Sequence, residues 1–125
     1  MSGEKVLIAE AEGSLLTLLR IFLESWGYQV LTASDGQAAL QAITENKPDL
    51  VLLDSVLPKV DGWEVCRRIK QDPDTSQIAV VFVSARKSAH DLLRGHEAGA
   101  DAYITKPFKS AYLLERLRHC LAAQA

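Results

Sequence analysis

The sequence has no long apolar run, and its positive and negative charges nearly balance. None of its apolar stretches approaches the roughly 20 residues that a helix needs to cross a bilayer, so no membrane span is expected. The formal net charge is -2 at pH 7, and no basic excess indicates direct binding to nucleic acid. Residues 1–5 carry no signal-peptide pattern. Together these absences predict a cytoplasmic protein that binds neither membranes nor nucleic acid.

Cysteine and histidine are also scarce. Cys66 and Cys120 do not form a Cys-x-x-Cys pair, and both lie in helix-like segments, which predicts small buried thiols. The histidines, His90, His96 and His119, have no spacing typical of a metal site. We therefore expect neither residue type to carry the chemistry of this chain.

Short apolar runs alternate with helical patterns along the whole chain, without a linker or repeat, which predicts one domain over residues 1–125. This alternation favours βαβ units and a parallel sheet. The predicted strands are 6–9, 28–33, 50–53, 78–83 and 102–105, and a helix is expected after each. The first helix is predicted to start at a Ser14 cap, to turn Leu15, Leu18, Leu19, Phe22 and Leu23 inward, and to end at Gly27.

Polar residues follow four of these strands. Acidic residues occupy positions 10 and 12 after the first, Asp54 follows the third, Ser84 the fourth and Lys106 the fifth. The carboxyl ends of parallel strands meet at one edge of a sheet, where ligands bind. A carboxylate there can act as a nucleophile toward a phosphoryl donor. The pattern predicts one shallow site that combines acids, a hydroxyl and an amine.

The run 54–62, Asp-Ser-Val-Leu-Pro-Lys-Val-Asp-Gly, resembles the phosphoacceptor loop of response-regulator receiver domains. Ser84-Ala85 matches the hydroxyl position of that family, Tyr103 its switch aromatic residue, and Lys106-Pro107 its Lys-Pro pair. The resemblance covers nearly the whole chain. It implies an α/β fold of the flavodoxin-like, doubly wound (βα)5 type, with a parallel five-stranded sheet in the order 2-1-3-4-5.

The resemblance also implies a phosphorelay function and assigns its residues. Asp54 would accept the phosphoryl group, Lys106 would pair with it, and Ser84 and Tyr103 would form the switch. The expected partners are a sensor histidine kinase or phosphotransfer protein, and a downstream effector that binds the face of helix 4, strand 5 and helix 5. Formation of a homodimer stays open, and enzyme activity is not expected.

One position departs from the family pattern. Receiver domains usually carry two adjacent acids after the first strand, and the second normally ligates Mg²⁺, whereas here Ala11 follows Glu10. The implied metal ligands are Asp54, the Val56 carbonyl and, through water, Glu10, while Glu12 matches a position outside the direct ligands. Weak Mg²⁺ binding is expected. The chain is then either a phosphorylated switch or a phosphorylation-independent interaction module.

Two enzyme and cofactor families with similar sequence features fit poorly. A flavodoxin needs a phosphate-binding loop rich in Ser, Thr and Gly after the first strand, where this chain is acidic at positions 10 and 12. Haloacid-dehalogenase-like phosphatases usually have Asp-x-Asp at the strand end, but position 56 is Val. Both comparisons favour a receiver.

Overall fold

Five strands alternate with five helices in the computed structural model, which describes residues 3–124. The elements are β1 (Lys5–Ala9), α1 (Gly13–Ser25), β2 (Gln29–Ala33), α2 (Gly36–Asn46), β3 (Leu50–Leu53), α3 (Gly62–Gln71), β4 (Ala79–Ser84), α4 (Ala89–Glu97), β5 (Ala102–Thr105) and α5 (Ser110–Ala123). None of the helices in 3–124 has the length and apolar character to cross a membrane.

The strands form one sheet in the order β2-β1-β3-β4-β5, and every neighbouring pair is parallel. This confirms the predicted fold class and strand order. Every residue of β3 and β4 is buried, as expected for parallel strands that are covered on both faces. The continuous apolar runs in the sequence therefore mark the centre of the sheet.

Helices cover both faces of the sheet because successive strand residues point in opposite directions. Leu7 and Val51 belong to a core with residues of α2 and α3. Their neighbours Ile8 and Leu52 belong to a second core with residues of α1 and α5. The sheet is thus the middle of three layers, and its carboxyl edge is left for the polar residues that follow the strands.

The start of α1 differs from the prediction. Glu12, not Ser14, is the N-cap, and its carboxylate accepts a hydrogen bond of 2.8 Å from the Leu15 N–H. The longer Glu side chain can reach back over the first turn, so the helix starts earlier than predicted. Leu18 was predicted to face inward but is 46% exposed. The predicted end is confirmed, since Gly27 follows the C-cap at φ 95°.

Other element ends differ from the predictions by one or two residues. The shift at β4 matters for the site, because this strand includes Ser84 as its last residue instead of ending at Val83. Ser84 is consequently completely buried, with a relative exposure of 0%.

Candidate functional site

Three charged residues meet at the carboxyl edge of the sheet, each the first residue after its strand. Glu10 follows β1, Asp54 follows β3 and Lys106 follows β5. Backbone pairing continues into these positions, since the Asp54 N–H donates to the Ala9 carbonyl at 3.0 Å and the Lys106 N–H to the Ser84 carbonyl at 2.9 Å. The sheet therefore positions the charged side chains through its own hydrogen-bond ladder.

The Lys106 ammonium lies between the two carboxylates. Its Nζ is 2.7 Å from Asp54 Oδ2 and 2.9 Å from Glu10 Oε1. Both acids are nearly inaccessible, at 7% and 3% exposure. A buried carboxylate is costly unless it is paired and hydrogen-bonded, so this one lysine compensates two acids.

The remaining carboxylate oxygens also have partners. Glu10 Oε2 accepts from the Glu12 N–H at 3.0 Å, and Asp54 Oδ1 accepts from the Val56 N–H at 3.0 Å. Each of the four oxygens of Glu10 and Asp54 thus accepts a hydrogen bond within this part of the chain. Each Asp54 oxygen therefore already has one donor when an incoming group approaches.

Burial and charge act in opposite directions on the ionic cluster. Burial raises the pKa of Glu10, with a further rise from the Asp54 charge, against the lowering effect of hydrogen bonds from Glu12 and Lys106. Burial alone would lower the pKa of Lys106, but hydrogen bonds and charge from Asp54 and Glu10 outweigh it, so this pKa is raised. Lys106 therefore keeps its positive charge across the physiological range.

A pair of buried hydroxyl groups lies on the other side of Asp54. Ser55 Oγ and Ser84 Oγ are 2.7 Å apart, and the Arg86 N–H donates to Ser84 Oγ at 3.1 Å. Ser55 is 2% exposed and Ser84 is 0% exposed. The hydroxyl proposed to contact a phosphoryl group is therefore engaged by a second serine in this structure.

Tyr103 extends this side into an aromatic cluster. Its hydroxyl donates to the Arg86 carbonyl, and its ring packs on Phe82 at 5.5 Å and on Trp63 at 6.2 Å between centroids. Arg94 covers the Trp63 ring, with its Cζ 5.1 Å from the ring centroid. Burial raises the pKa of the Tyr103 phenol, so Tyr103 is a neutral donor here.

The loop between β3 and α3 holds Asp54 against the sheet. The Gly62 N–H donates to the Ser55 carbonyl at 2.9 Å, and a Cβ on residue 62 would lie 2.1 Å from the Asp54 carbonyl oxygen. Asp61 caps α3 through the Glu64 N–H at 2.9 Å. The Asp-Gly pair at the end of the loop is needed for this close return of the chain.

The structure brings most of the predicted site residues together and leaves a few at the margin. Glu10, Asp54, Lys106 and Ser84 lie at one edge of the sheet, and Tyr103 joins them through Arg86. The Val56 residue is 55% exposed, and Glu12 is engaged as a helix cap. The assigned roles stay predictions, and so does the set of metal ligands.

Three contributors were missed by sequence reasoning. Ser55 was not assigned a role in the switch, although a polar residue directly after Asp54, in an otherwise apolar segment, was a usable signal. Phe82 lies within the predicted strand 78–83, but neither Phe82 nor Trp63 was assigned to the site. The register that places Phe82 beside Tyr103 could not be read from the sequence.

The donor set for a metal is small. Glu10, Asp54 and the Val56 carbonyl are the groups that could hold Mg²⁺, and residues 3–124 contain no group of three or more Asp, Glu, His or Cys placed to hold a metal. Lys106 already occupies the space between the two carboxylates, and Ala11 adds no donor. The residues present do not form a ready Mg²⁺ site in this arrangement.

Comparison with known proteins agrees with the fold and with the chain's motifs. The family profile of the response regulator receiver domain matches residues 6–118. The alkaline phosphatase synthesis transcriptional regulatory protein PhoP of Bacillus subtilis is 41% identical over 119 residues, which cover 95% of this chain and 49% of PhoP. The chain spans about half the length of the curated relatives it matches.

Solved structures of receiver domains also superpose closely on this chain. The receiver domain of a signal transduction histidine kinase from Syntrophus aciditrophicus superposes with a TM-score of 0.90 at 31% identity, covering 97% of this chain and 92% of that one. The receiver domain of sensor histidine kinase PA1611 from Pseudomonas aeruginosa PAO1, which holds a magnesium ion in its active-site cleft, gives 0.89 at 28% identity, covering 96% and 98%.

The chain belongs to the response regulator receiver domain family. Members of this family are signalling modules of two-component systems, and Mg²⁺ is their usual metal ion.

Proposed function

We propose that this chain accepts a phosphoryl group on Asp54 and uses it to switch a protein-interaction surface. The observation that carries the proposal is the contact of 2.7 Å between Asp54 Oδ2 and the Lys106 ammonium at the carboxyl edge of the sheet. A buried nucleophile beside a fixed cation suits a reaction that brings a negatively charged phosphoryl group onto the nucleophile. The donor would be a sensor histidine kinase or a phosphotransfer protein.

Each neighbouring group has a role in this reaction. An Asp54 carboxylate oxygen forms the new bond to phosphorus, and the donor's leaving group departs with the electron pair of the bond that breaks. Lys106 then exchanges a carboxylate oxygen for a phosphoryl oxygen and keeps the added charge paired. Ser84 leaves Ser55 to donate to the phosphoryl group, and the segment around Arg86 moves together with Tyr103, whose hydroxyl is bonded to the Arg86 carbonyl.

Labelling with acetyl phosphate tests the acceptor. We expect one phosphoryl group on Asp54, located by peptide mass spectrometry after reduction of the acyl phosphate, and no label in Asp54→Ala. Asp61→Asn is the matched control, because Asp61 lies in the same loop but its carboxylate caps α3. A label that persists in Asp54→Ala contradicts the proposal.

Weak metal binding is the second part of the proposal. When bound, Mg²⁺ would neutralise charge on the phosphoryl oxygens. The four carboxylate oxygens that could ligate it already accept hydrogen bonds, and Ala11 stands where the family usually has a second acid. Such a site favours the alternative function as well, in which the fold acts as an interaction module without phosphorylation.

An Ala11→Asp variant separates these two functions. We expect calorimetric titration to give Mg²⁺ affinity at least tenfold tighter in the variant, or about 1.4 kcal/mol. Acetyl phosphate should also label the variant at least ten times faster. Equal sub-millimolar affinity in both proteins contradicts weak binding. Absence of any label in the unchanged chain, with label in the variant, favours the interaction module.

The output surface in this proposal is the face formed by α4, β5 and α5. It carries exposed apolar side chains at Leu92, Leu93 and Tyr112, which are 41%, 53% and 48% exposed. An effector or a second copy of the chain would bind there after Tyr103 moves, and light scattering before and after labelling distinguishes the two. Both cysteines are free thiols, which suits the reducing cytoplasm as the proposed location.

A further inference from the structure

Ser55 is a buried hydroxyl in a position that the phosphoryl chemistry does not use. It directly follows Asp54 and is 2% exposed. Its Oγ lies 2.7 Å from Ser84 Oγ. The backbone of Ser55 is fixed as well, because its carbonyl accepts from the Gly62 N–H at 2.9 Å. Ser55 therefore offers Ser84 a rigidly placed partner.

Ser84 is also connected to Tyr103 through a single residue. Its Oγ accepts from the Arg86 N–H at 3.1 Å, and the Arg86 carbonyl accepts from the Tyr103 hydroxyl. Four residues thus form one continuous hydrogen-bonded series, from Ser55 to Ser84, to the backbone of Arg86, and to Tyr103. A change at one end alters the environment of the other.

We propose that Ser55 is a positioning residue that holds the Ser84 hydroxyl in the resting arrangement and so sets how readily Ser84 and Tyr103 switch. The inference rests on the proposed function, since switching is what phosphorylation of Asp54 would cause. Ser55 touches neither the phosphoryl group nor the donor in this account.

The physical reason is that a buried hydroxyl group without a hydrogen-bond partner is unfavourable. When Ser84 turns toward a phosphoryl group, Ser55 Oγ stays buried and loses its hydrogen bond to Ser84, which is unfavourable. Removing the Ser55 hydroxyl removes this penalty from the switched arrangement and removes a stabilising bond from the resting one. We expect Ser55→Ala to shift the equilibrium about fivefold toward the switched arrangement, which corresponds to about 1 kcal/mol.

The test follows Tyr103 directly, with 3-fluorotyrosine incorporated in the whole chain and fluorine NMR as the readout. The Tyr103 signal is assigned by its absence in Tyr103→Phe. We expect Ser55→Ala to shift this signal even before any phosphodonor is added, because the substitution changes the hydrogen-bonded series that ends at the Tyr103 hydroxyl. After acetyl phosphate, the ratio of switched to resting population should be about fivefold that of the labelled unchanged chain.

Thr75→Val is the matched control for loss of a buried hydroxyl. Thr75 is 6% exposed and its Oγ1 donates to the Ile69 carbonyl at 2.8 Å, outside the series from Ser55 to Tyr103. This variant should lower the melting temperature and leave the Tyr103 signal in place. An equal shift of that signal in Thr75→Val would overturn the proposal, because the effect would then be general loosening.

A double-mutant cycle tests whether Ser55 acts through Ser84. In a Ser84→Ala background, Ser55→Ala should no longer move the Tyr103 signal, and a shift of unchanged size contradicts the proposal. If Ser55→Ala does not fold, Ser55→Cys replaces it, with a smaller shift in the same direction because a thiol is a weak donor. A Tyr103 signal that stays unmoved in the folded variant also overturns the proposal.

Failure of the proposed function gives a different result. If acetyl phosphate never labels Asp54, the phosphoryl-acceptor function is wrong, yet the unlabelled Ser55→Ala chain still reports on Tyr103. If Asp54 is labelled but Ser55→Ala leaves the Tyr103 signal unchanged, the function stands and the role of Ser55 is wrong.

Discussion

The two sides of Asp54 are stabilised by different forces. On one side, Lys106 Nζ contacts the carboxylates of Asp54 and Glu10, and the contacts are ionic. On the other side, Ser55 and Ser84 share a hydrogen bond between fully buried hydroxyl groups. The ionic contacts respond to pH and to charges several ångströms away, whereas the hydrogen bond between the hydroxyl groups depends on short distances and close packing.

This difference means that the two sides of Asp54 would respond differently to an incoming group. The lysine side chain is 21% exposed, so the ionic side can exchange a carboxylate contact for one with an incoming anion. The hydroxyl side has no such access and must respond by moving side chains. Substitutions should therefore fall into two groups, those that change the charge balance around Asp54 and those that change the packing around Ser84 and Tyr103.

The largest effect is expected for Lys106→Met. This change leaves two nearly buried carboxylates without their cation, and we expect a loss of about 3 kcal/mol in the free energy of unfolding at pH 7. Urea denaturation measures it. Lys59→Met is the control, because Lys59 is 61% exposed and 3.6 Å from Asp35, and should lose less than about 1 kcal/mol. Equal losses would contradict the assignment of an ionic side.

The next effect is expected for Phe82→Leu on the packing side. Phe82 is fully buried against Trp63 and Tyr103, so we expect a loss of about 1.5 kcal/mol. The Tyr103 fluorine signal should also broaden or move. In the control Phe22→Leu, a ring on the opposite face of the sheet is changed, and the Tyr103 signal should stay in place.

A smaller effect is expected for Arg94→Gln. This change removes a guanidinium that lies 5.1 Å from the centre of the Trp63 ring, and we expect a loss of about 0.5–1 kcal/mol. Trp fluorescence should shift as the ring loses its cover. Arg20→Gln, which removes an exposed partner of Glu24, should leave that fluorescence unchanged. A shift in both variants would show that it does not report on Trp63.

The smallest effect is a change in the pH dependence of stability. Burial raises the pKa of Glu10, so the folded state holds this proton more tightly than the unfolded state does. The resulting stabilisation is present below the ordinary pKa of about 4.5 and is lost as the pH rises through the raised value. In EDTA-containing buffer, the free energy of unfolding of Glu10→Gln should not show this decrease with rising pH. If the free energy of unfolding changes with pH above 4.5 with the same slope in both proteins, the prediction is wrong.

Much of the fold could be predicted because its signals are local and repeated. Apolar runs such as 50–53 identify strands that are covered on both faces, and the glycine at 27 ends α1 as expected. The strand order came from the resemblance to a family, since alternation of strands and helices does not determine it. The start of α1 was mispredicted because a glutamate cap competes with a nearby serine, and side-chain reach decides between them.

The candidate site was predictable where a single polar residue stands at a strand end. Asp54, Lys106 and Ser84 are recognisable from their positions after or at the end of strands. The partner of Ser84 was not, because the contact with Ser55 joins residues 29 positions apart and depends on the register of β3 and β4. The involvement of Phe82 likewise depends on its pairing with Tyr103 across two strands.

Arg86 connects Ser84 to Tyr103 with its peptide groups, while its side chain stays exposed. The connection is therefore independent of the side chain, and substitutions at this position should preserve it as long as the N–H remains. Proline is the exception, since it has no N–H to donate. The side chain at 86 can thus be exchanged without breaking the hydrogen-bonded connection between Ser84 and Tyr103.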